Sequence, residues 1–298
     1  MISTVIKERT ITMSGILFLC ATPIGNLEDI TFRVIRTLKE VDLIAAEDTR
    51  HSIKLLNRYE IKTPMTSYHE YNKVEKARHL VEQLLGGKNI ALVTDAGTPG
   101  ISDPGEELVR QAYAAGIEVT SLPGACAAVT ALTLSGLATG RFCFEAFLPT
   151  DKKDKQRILE ELKNETRTII LYEAPHRLER TIKVLLEAIG DRNITIIKEL
   201  TKKHETIRQT TLAKAAGSFD EQQPKGEYVL VMEGKPVREI EEEKQVKWEA
   251  VALFEHMDLY LKQGMDKKEA MKAVAKDRGI SKREVYQELL RDELIERQ

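Results

Sequence analysis

From Gly15 to about Gly234, short runs rich in β-branched and other apolar residues alternate with helix-period runs, and this alternation leaves few folds open. The strand-like runs are 16–21, 43–46, 90–94, 118–122, 167–172, 194–198 and 227–232. Between them, 74–85 and 178–189 place apolar residues at i, i+3, i+4 and i+7, the spacing of helices that cover a sheet with one face. Strand, helix and strand in this order predict a mostly parallel sheet and an α/β class. Near the middle, Phe147-Leu148-Pro149-Thr150 gives way abruptly to Asp151-Lys152-Lys153, as a linker between two α/β halves would. Two halves suit 298 residues at about 150 per domain. The expected division is an N-terminal extension (1–14), a first α/β domain (15–147), a second (148–236) and a helical extension (237–298).

After Gly234-Lys235-Pro236 the strand-like runs cease and Glu, Lys and Ala rise. A helix-forming run over 267–277, then Arg278-Gly279-Ile280, then Ser281-Lys282-Arg283-Glu284 spell helix, glycine turn and capping box, a spacing similar to a helix-turn-helix. A plain helical hairpin used for packing or dimerisation has the same signature. Lys276, Arg278, Lys282 and Arg283 bracket the turn, where free N–H groups at the helix start also favour a phosphate.

Composition excludes several classes. Cys20, Cys126 and Cys143 are odd in number, far apart and lack a Cys-x-x-Cys spacing, which speaks against a disulfide framework and a zinc knuckle and for a reducing cytoplasm. No metal is expected. The longest apolar runs are strand-length, and the first 13 residues alternate polar with apolar without a signal-peptide core, so neither secretion nor a membrane span is expected. With 45 basic and 47 acidic residues the net charge is −2, so any nucleic-acid site must be a local patch.

The strict signatures of P-loop nucleotidases, Rossmann dehydrogenases, zinc proteases and α/β-hydrolases are absent. Instead three Pro/Gly loops each follow a strand-like run: Thr22-Pro23-Ile24-Gly25-Asn26, the long Asp95-Ala96-Gly97-Thr98-Pro99-Gly100-Ile101-Ser102-Asp103-Pro104-Gly105, and Pro123-Gly124-Ala125-Cys126-Ala127. Parallel sheets bind ligands outside the carboxyl ends of their strands, and glycine lets backbone approach a ligand closely. Three such loops predict one convergent site, although each alone reads as an ordinary tight turn.

These loops, with Glu47-Asp48-Thr49-Arg50 and Glu173-Ala174-Pro175-His176-Arg177, resemble the RNA-modifying branch of the tetrapyrrole methylase family, whose bacterial members methylate a cytidine ribose 2′-hydroxyl of small-subunit ribosomal RNA. The resemblance runs over roughly 15–234 and into the tail. It implies two unequal α/β domains with S-adenosylmethionine in the cleft between them, a homodimer, and small-subunit ribosomal RNA as partner. It assigns the cofactor to Pro23, Asp95, Ala96, Gly97, Thr98, Gly100, Ile101, Ser102, Gly124, Ala125, Leu171 and Tyr172. Thr98 departs from the family pattern, since an Asp of a Gly-Asp-Pro turn aligns there; Asp95, in the same loop, is the candidate replacement carboxylate.

Methyl transfer to a hydroxyl needs an in-line approach and somewhere for the proton to go. Glu47, Asp48, His176 and Glu173 are the base candidates, with Asp48 also able to serve only as a helix N-cap. Arg50, His51 and Arg177 suit phosphate, as do Lys282 and Arg283 in the tail. Tyr68-His69-Glu70-Tyr71 offers a further candidate base and rings that could stack on unpaired nucleobases, or reads as a plain surface cluster. Basic clusters at Lys152, Lys153, Lys155 and Arg157 and at Lys202, Lys203, His204 and Arg208 read equally well as solvated surface. The competing functions are a small-molecule tetrapyrrole methylase and a non-catalytic ribosome assembly factor.

Overall fold

The computed structural model describes residues 14–219 and 224–295, so the N-terminal extension expected over 1–14 lies almost wholly outside the described residues. The first unit alternates as expected: β1 (Ile16–Cys20), α1 (Phe32–Glu40), β2 (Leu43–Ala46), α2 (Thr49–Arg58), β3 (Met65–Ser67), α3 (Lys73–Leu85), β4 (Ile90–Val93), α4 (Glu106–Ala114), β5 (Glu118–Leu122) and α5 (Ala127–Leu134). Its five strands are all parallel in the order β3-β2-β4-β1-β5. The central β4 is buried along its whole length because helices cover both faces. Ile90 and Leu92 pack with Leu80, Leu84 and Leu108 of α3 and α4, whereas Ala91 and Val93 turn to Val34, Leu38 and Leu56 of α1 and α2. Every connection returns over a helix, so the strand ends that carry the Pro/Gly loops lie on one edge.

The second unit comprises β6 (Phe142–Phe147), α6 (Lys152–Lys163), β7 (Thr168–Glu173), α7 (Leu178–Ile189), β8 (Asn193–Lys198), β9 (Thr206–Thr211), α8 (Leu212–Ala216) and β10 (Tyr228–Met232). Its order is β6-β7-β10-β8-β9. Only β6 and β7 pair in parallel; β10 runs antiparallel to both β7 and β8, and β8 to β9. The expectation of a mostly parallel sheet is therefore corrected for this half: β8 and β9 join through a short loop, and β10 returns between β7 and β8. The change of sheet also falls ahead of Phe142, not after Phe147, since Phe142–Phe147 is already a strand of the second sheet.

One face of this sheet packs Ile169, Leu171, Ile196 and Leu230 against α6, α7 and α8. The other packs Ile170, Ile197, Val229 and Val231 against Ala128, Ala131 and Leu132 of α5, which belongs in sequence to the first unit. Helix α5 thus holds the second sheet against the loop edge of the first. That placement creates a cleft.

The tail forms α9 (Val237–Glu249), α10 (Leu253–Lys262), α11 (Lys267–Arg278) and α12 (Lys282–Ile295). Leu253, Met257, Val274, Val285 and Leu289 make a core of their own. Helix α11 ends at Gly279, whose φ of 64° is the left-handed cap a glycine adopts without cost. At the start of α12 the Ser281 hydroxyl accepts from Glu284 N (3.2 Å) while the Glu284 carboxylate accepts from Ser281 N (2.7 Å), a capping box as the sequence predicts. Among the described residues no helix is long and apolar enough to cross a membrane, and no group of three His, Cys, Asp or Glu could hold a metal ion.

Candidate active site between the two sheets

The three Pro/Gly loops converge. Thr22, just past β1, exchanges two backbone hydrogen bonds with Gly97, just past β4, at 2.9 and 3.1 Å. Gly97 has φ +88°, and a Cβ there would lie 3.2 Å from Ile24 Cγ2 and 3.5 Å from the Ala125 carbonyl, so the first and third loops press on it from two sides. The Thr98 hydroxyl donates to the Ala125 carbonyl at 2.9 Å, which ties the second loop to the third. Across the cleft, Gly25 meets the loop after β8: a Cβ on it would lie 2.5 Å from Lys202 Cγ and 3.0 Å from the Leu200 carbonyl.

Between these loops and the second sheet lies a cavity of about 340 Å³. Of the residues assigned to a cofactor, Ala96, Gly97, Thr98, Ile101, Ser102 and Tyr172 line it. Pro23 and Asp95 instead line an adjoining recess of about 450 Å³. Ala125 and Gly124 support the wall from behind, Gly124 so close to Ala21 that a Cβ would stand 2.7 Å from its methyl. Gly100 supports the loop in the same way, 2.8 Å from where a Cβ on Gly105 would stand. The Leu171 side chain points into the core on the far face of β7, leaving only its backbone toward the cleft.

Sequence reasoning overlooked part of the lining, notably Asp103 in the second loop and Phe147, Leu200, Glu227 and Val229 on the opposite wall. Asp103 was in plain view in the Asp-Pro-Gly end of the loop, where it reads as turn chemistry. Apart from the segment that begins at Tyr172, the far wall carried no motif. Phe147 is aimed by a bulge in β6, where Ala146 takes φ +50° and the pairing with β7 shifts, and its ring meets Tyr172 edge-on at 5.7 Å.

Carboxylates gather where the two hollows meet. Glu47, at the end of β2, accepts from the Thr94 hydroxyl at 2.6 Å. Burial and then the charge of Glu47 push Asp103 up to about 6, and the same two causes raise Asp95. Asp48 behaves oppositely. It caps α2 by accepting from Arg50 N at 2.8 Å and pairs with the Arg50 guanidinium at 2.7 Å, which lowers it to about 2. A carboxylate so held is a helix cap and a weak proton acceptor. His176 is exposed and does not line the cavity.

The expected RNA contacts separate into two kinds. Arg50 is 89% exposed and His51 lines the recess. Arg177 turns inward: it donates to the Leu148 carbonyl at 2.5 Å and pairs at 3.3 Å with Glu173, whose side chain is fully buried. An RNA contact by Arg177 would therefore compete with an internal ion pair, although a quarter of its side chain stays exposed. Arg278 is likewise internal, donating to His256 Nδ1 at 3.2 Å and to the Val251 carbonyl, while Arg283 stays exposed and Lys282 half-buried at the start of α12. Tyr68 is buried in the first core and Tyr71 is 98% exposed, so only the latter can stack on a base.

A family profile described as Tetrapyrrole (Corrin/Porphyrin) Methylases matches residues 17–216. The chain is 51% identical over 272 residues to Ribosomal RNA small subunit methyltransferase I of Bacillus subtilis (strain 168), covering 91% of this chain and 93% of that one. It is 47% identical to the protein of the same name from Synechocystis sp., covering 92% and 96%. Among solved structures, uroporphyrin-III-C-methyltransferase from Thermus thermophilus superposes with a TM-score of 0.53 at 19% identity, covering 73% of this chain and 94% of that one. Diphthine synthase does so at 0.56 and 16% identity, covering 74% and 90%. At these identities the two structures bear on the fold alone.

Proposed function

Because the chain belongs to the tetrapyrrole methylase family, with small-subunit ribosomal RNA methyltransferases among its relatives, we propose that it moves a methyl group from S-adenosylmethionine to the 2′-hydroxyl of a cytidine ribose in that RNA. The observation that carries this reading is the cavity between the sheets, with apolar walls for an adenosine and a half-buried carboxylate, Asp103, for a cation. Ile24, Ile101, Leu200 and Val229 supply the walls, and the Ala96 to Thr98 segment lines the same cavity, where its backbone would meet the ligand. Asp103 is the carboxylate that Thr98 lacks, whereas the Thr98 hydroxyl is engaged in joining loops. S-adenosylmethionine would supply an electrophilic methyl on a sulfonium, and Asp103 and Glu227 would favour its positive charges.

The protein's own task is then to hold a ribose hydroxyl against the methyl and to accept its proton. Arg50, His51, Lys282 and Arg283 are the proposed phosphate contacts, the first two beside the cleft and the others on the tail. A homodimer in a reducing cytoplasm completes the proposal; exposed Val129 and Leu134 on α5 offer apolar surface for the former. The paired cavity and carboxylates favour an enzyme over an assembly factor without turnover.

Calorimetric titration with S-adenosylmethionine tests the reading. The wild type should bind one equivalent, and Asp103→Asn should bind more weakly at pH 8 by about tenfold or more, the usual worth of a charge-assisted contact. With the Asp103 carboxyl pushed up to about 6, the wild-type advantage should fade as the pH falls below that value and be small by about 4. A raised carboxylate opposes folding above its folded pKa, so Asp103→Asn should melt no lower than the wild type at pH 8. Equal affinity of the two proteins at pH 8 would remove Asp103 from the site.

A further inference from the structure

We propose that the recess beside the cofactor cavity receives the target nucleotide, extruded from its RNA, and that Asp95 on the recess wall takes the 2′-hydroxyl proton. The inference rests on the reading of the first cavity as the cofactor site.

The two hollows adjoin, and Ile24, Ala96 and Glu227 line both. The paired backbone of Thr22 and Gly97 fixes one side of their shared rim. In-line transfer needs the nucleophile and the methyl donor to approach from opposite sides of one gap, and two hollows sharing a rim provide that arrangement. Their linings differ in chemistry. The recess has apolar surface at Pro23, Leu27 and Leu55 against which a base can lie, and hydrogen-bond donors at His51 and Lys54, both exposed on α2, where flanking phosphates would pass. A recess of about 450 Å³ falls in the range of small-molecule sites, so an unstacked nucleotide fits and a duplex does not.

Asp95 is the carboxylate that faces this recess from the loop after β4. Its Oδ1 accepts from Asp48 N at 3.2 Å, which fixes the side chain against the start of α2. Around it stand Glu47 at the end of β2, Asp48, Arg50 and His51 at the start of α2, Asp103 in its own loop, and Lys202 and Glu227 from the second unit. Burial and Glu47 together raise its affinity for a proton, which suits a group that must accept one near neutrality. In the step itself an O2′ lone pair forms the new O–CH3 bond, the S–CH3 bond pair returns to sulfur, and the hydroxyl proton passes to the Asp95 carboxylate and then to solvent. No further reactant is required.

Two variants test the assignment, using small ribosomal subunits from a strain lacking the modification as RNA substrate. Asp95→Asn should bind S-adenosylmethionine within about twofold of wild type and keep its KM for subunits, while kcat falls about a hundredfold or more. Leu55→Trp, which narrows the recess without touching the first cavity, should also keep cofactor affinity and raise the KM for subunits by about tenfold. Cofactor affinity falling in step with activity in either variant would assign the recess to the cofactor and overturn the inference. An Asp95→Asn enzyme with undiminished kcat would overturn the role of Asp95. A wild-type protein that binds no S-adenosylmethionine would refute the underlying functional reading, a failure visible before either variant is made.

Discussion

Gly97→Val should leave a folded protein that has lost S-adenosylmethionine binding by more than a hundredfold. Gly97 sits at φ +88°, where a β-branched residue is strained by about 1–3 kcal/mol, and it lies where the first and third loops close on the second. Its Cβ would already touch Ile24 Cγ2 at 3.2 Å, and two further methyls would have to enter the cavity that Gly97 lines or force the loops apart. The strain is too small to unfold a domain whose β4 is buried throughout, but the volume lost is at the ligand's own position. Calorimetry paired with a thermal melt separates the two effects. Full binding by a folded Gly97→Val protein would mean that the ligand is held elsewhere.

Arg177→Ala should cost about 3 kcal/mol of stability, most of it from Glu173. That carboxylate is fully buried and bonded to Ala174 N (2.8 Å) and the Thr181 hydroxyl (2.5 Å), with Arg177 as its cationic partner. Removing one member of a buried pair leaves the other uncompensated, which is costlier than replacing both. The same arginine ties the segment after β6 to the start of α7 through the Leu148 carbonyl, so its loss also loosens the wall that carries Phe147. Denaturant unfolding measures the loss, and Glu173→Gln in the Arg177→Ala background should recover part of it. A loss below about 0.5 kcal/mol, with RNA affinity reduced instead, would return Arg177 to the surface role its motif suggested.

That reversal shows where sequence stops informing. A guanidinium in a Pro-His-Arg turn looks the same whether it meets a phosphate or a buried glutamate, and only the fold brings Glu173 to it. Arg278 repeats the lesson: its place beside Gly279 suggested a phosphate, yet it bonds His256, which is itself stacked on Trp248 at 3.6 Å. In the first sheet β1, β2, β4 and β5 were legible as short runs set between helix-period segments. Three others were not: β3 is three residues long, β9 is a largely exposed polar edge, and β6 is interrupted by its bulge. Strand direction in the second sheet was equally hidden, because periodicity identifies a strand and says nothing of its partner. The near wall of the cleft could be read from Pro and Gly punctuation. The far wall depends on Ala146, Glu199 and Thr201 in left-handed backbone, residue types that do not signal such conformations.

Methylation of a cytidine ribose in small-subunit ribosomal RNA can be read by mass mapping of that RNA from a deletion strain before and after complementation. One cytidine should be lighter by a methyl group in the deletion strain and regain it, on the ribose, with the wild-type gene but not with one encoding Gly97→Val. Small-subunit RNA of identical mass profile in all strains, or a methyl restored on a base instead of a ribose, would contradict it.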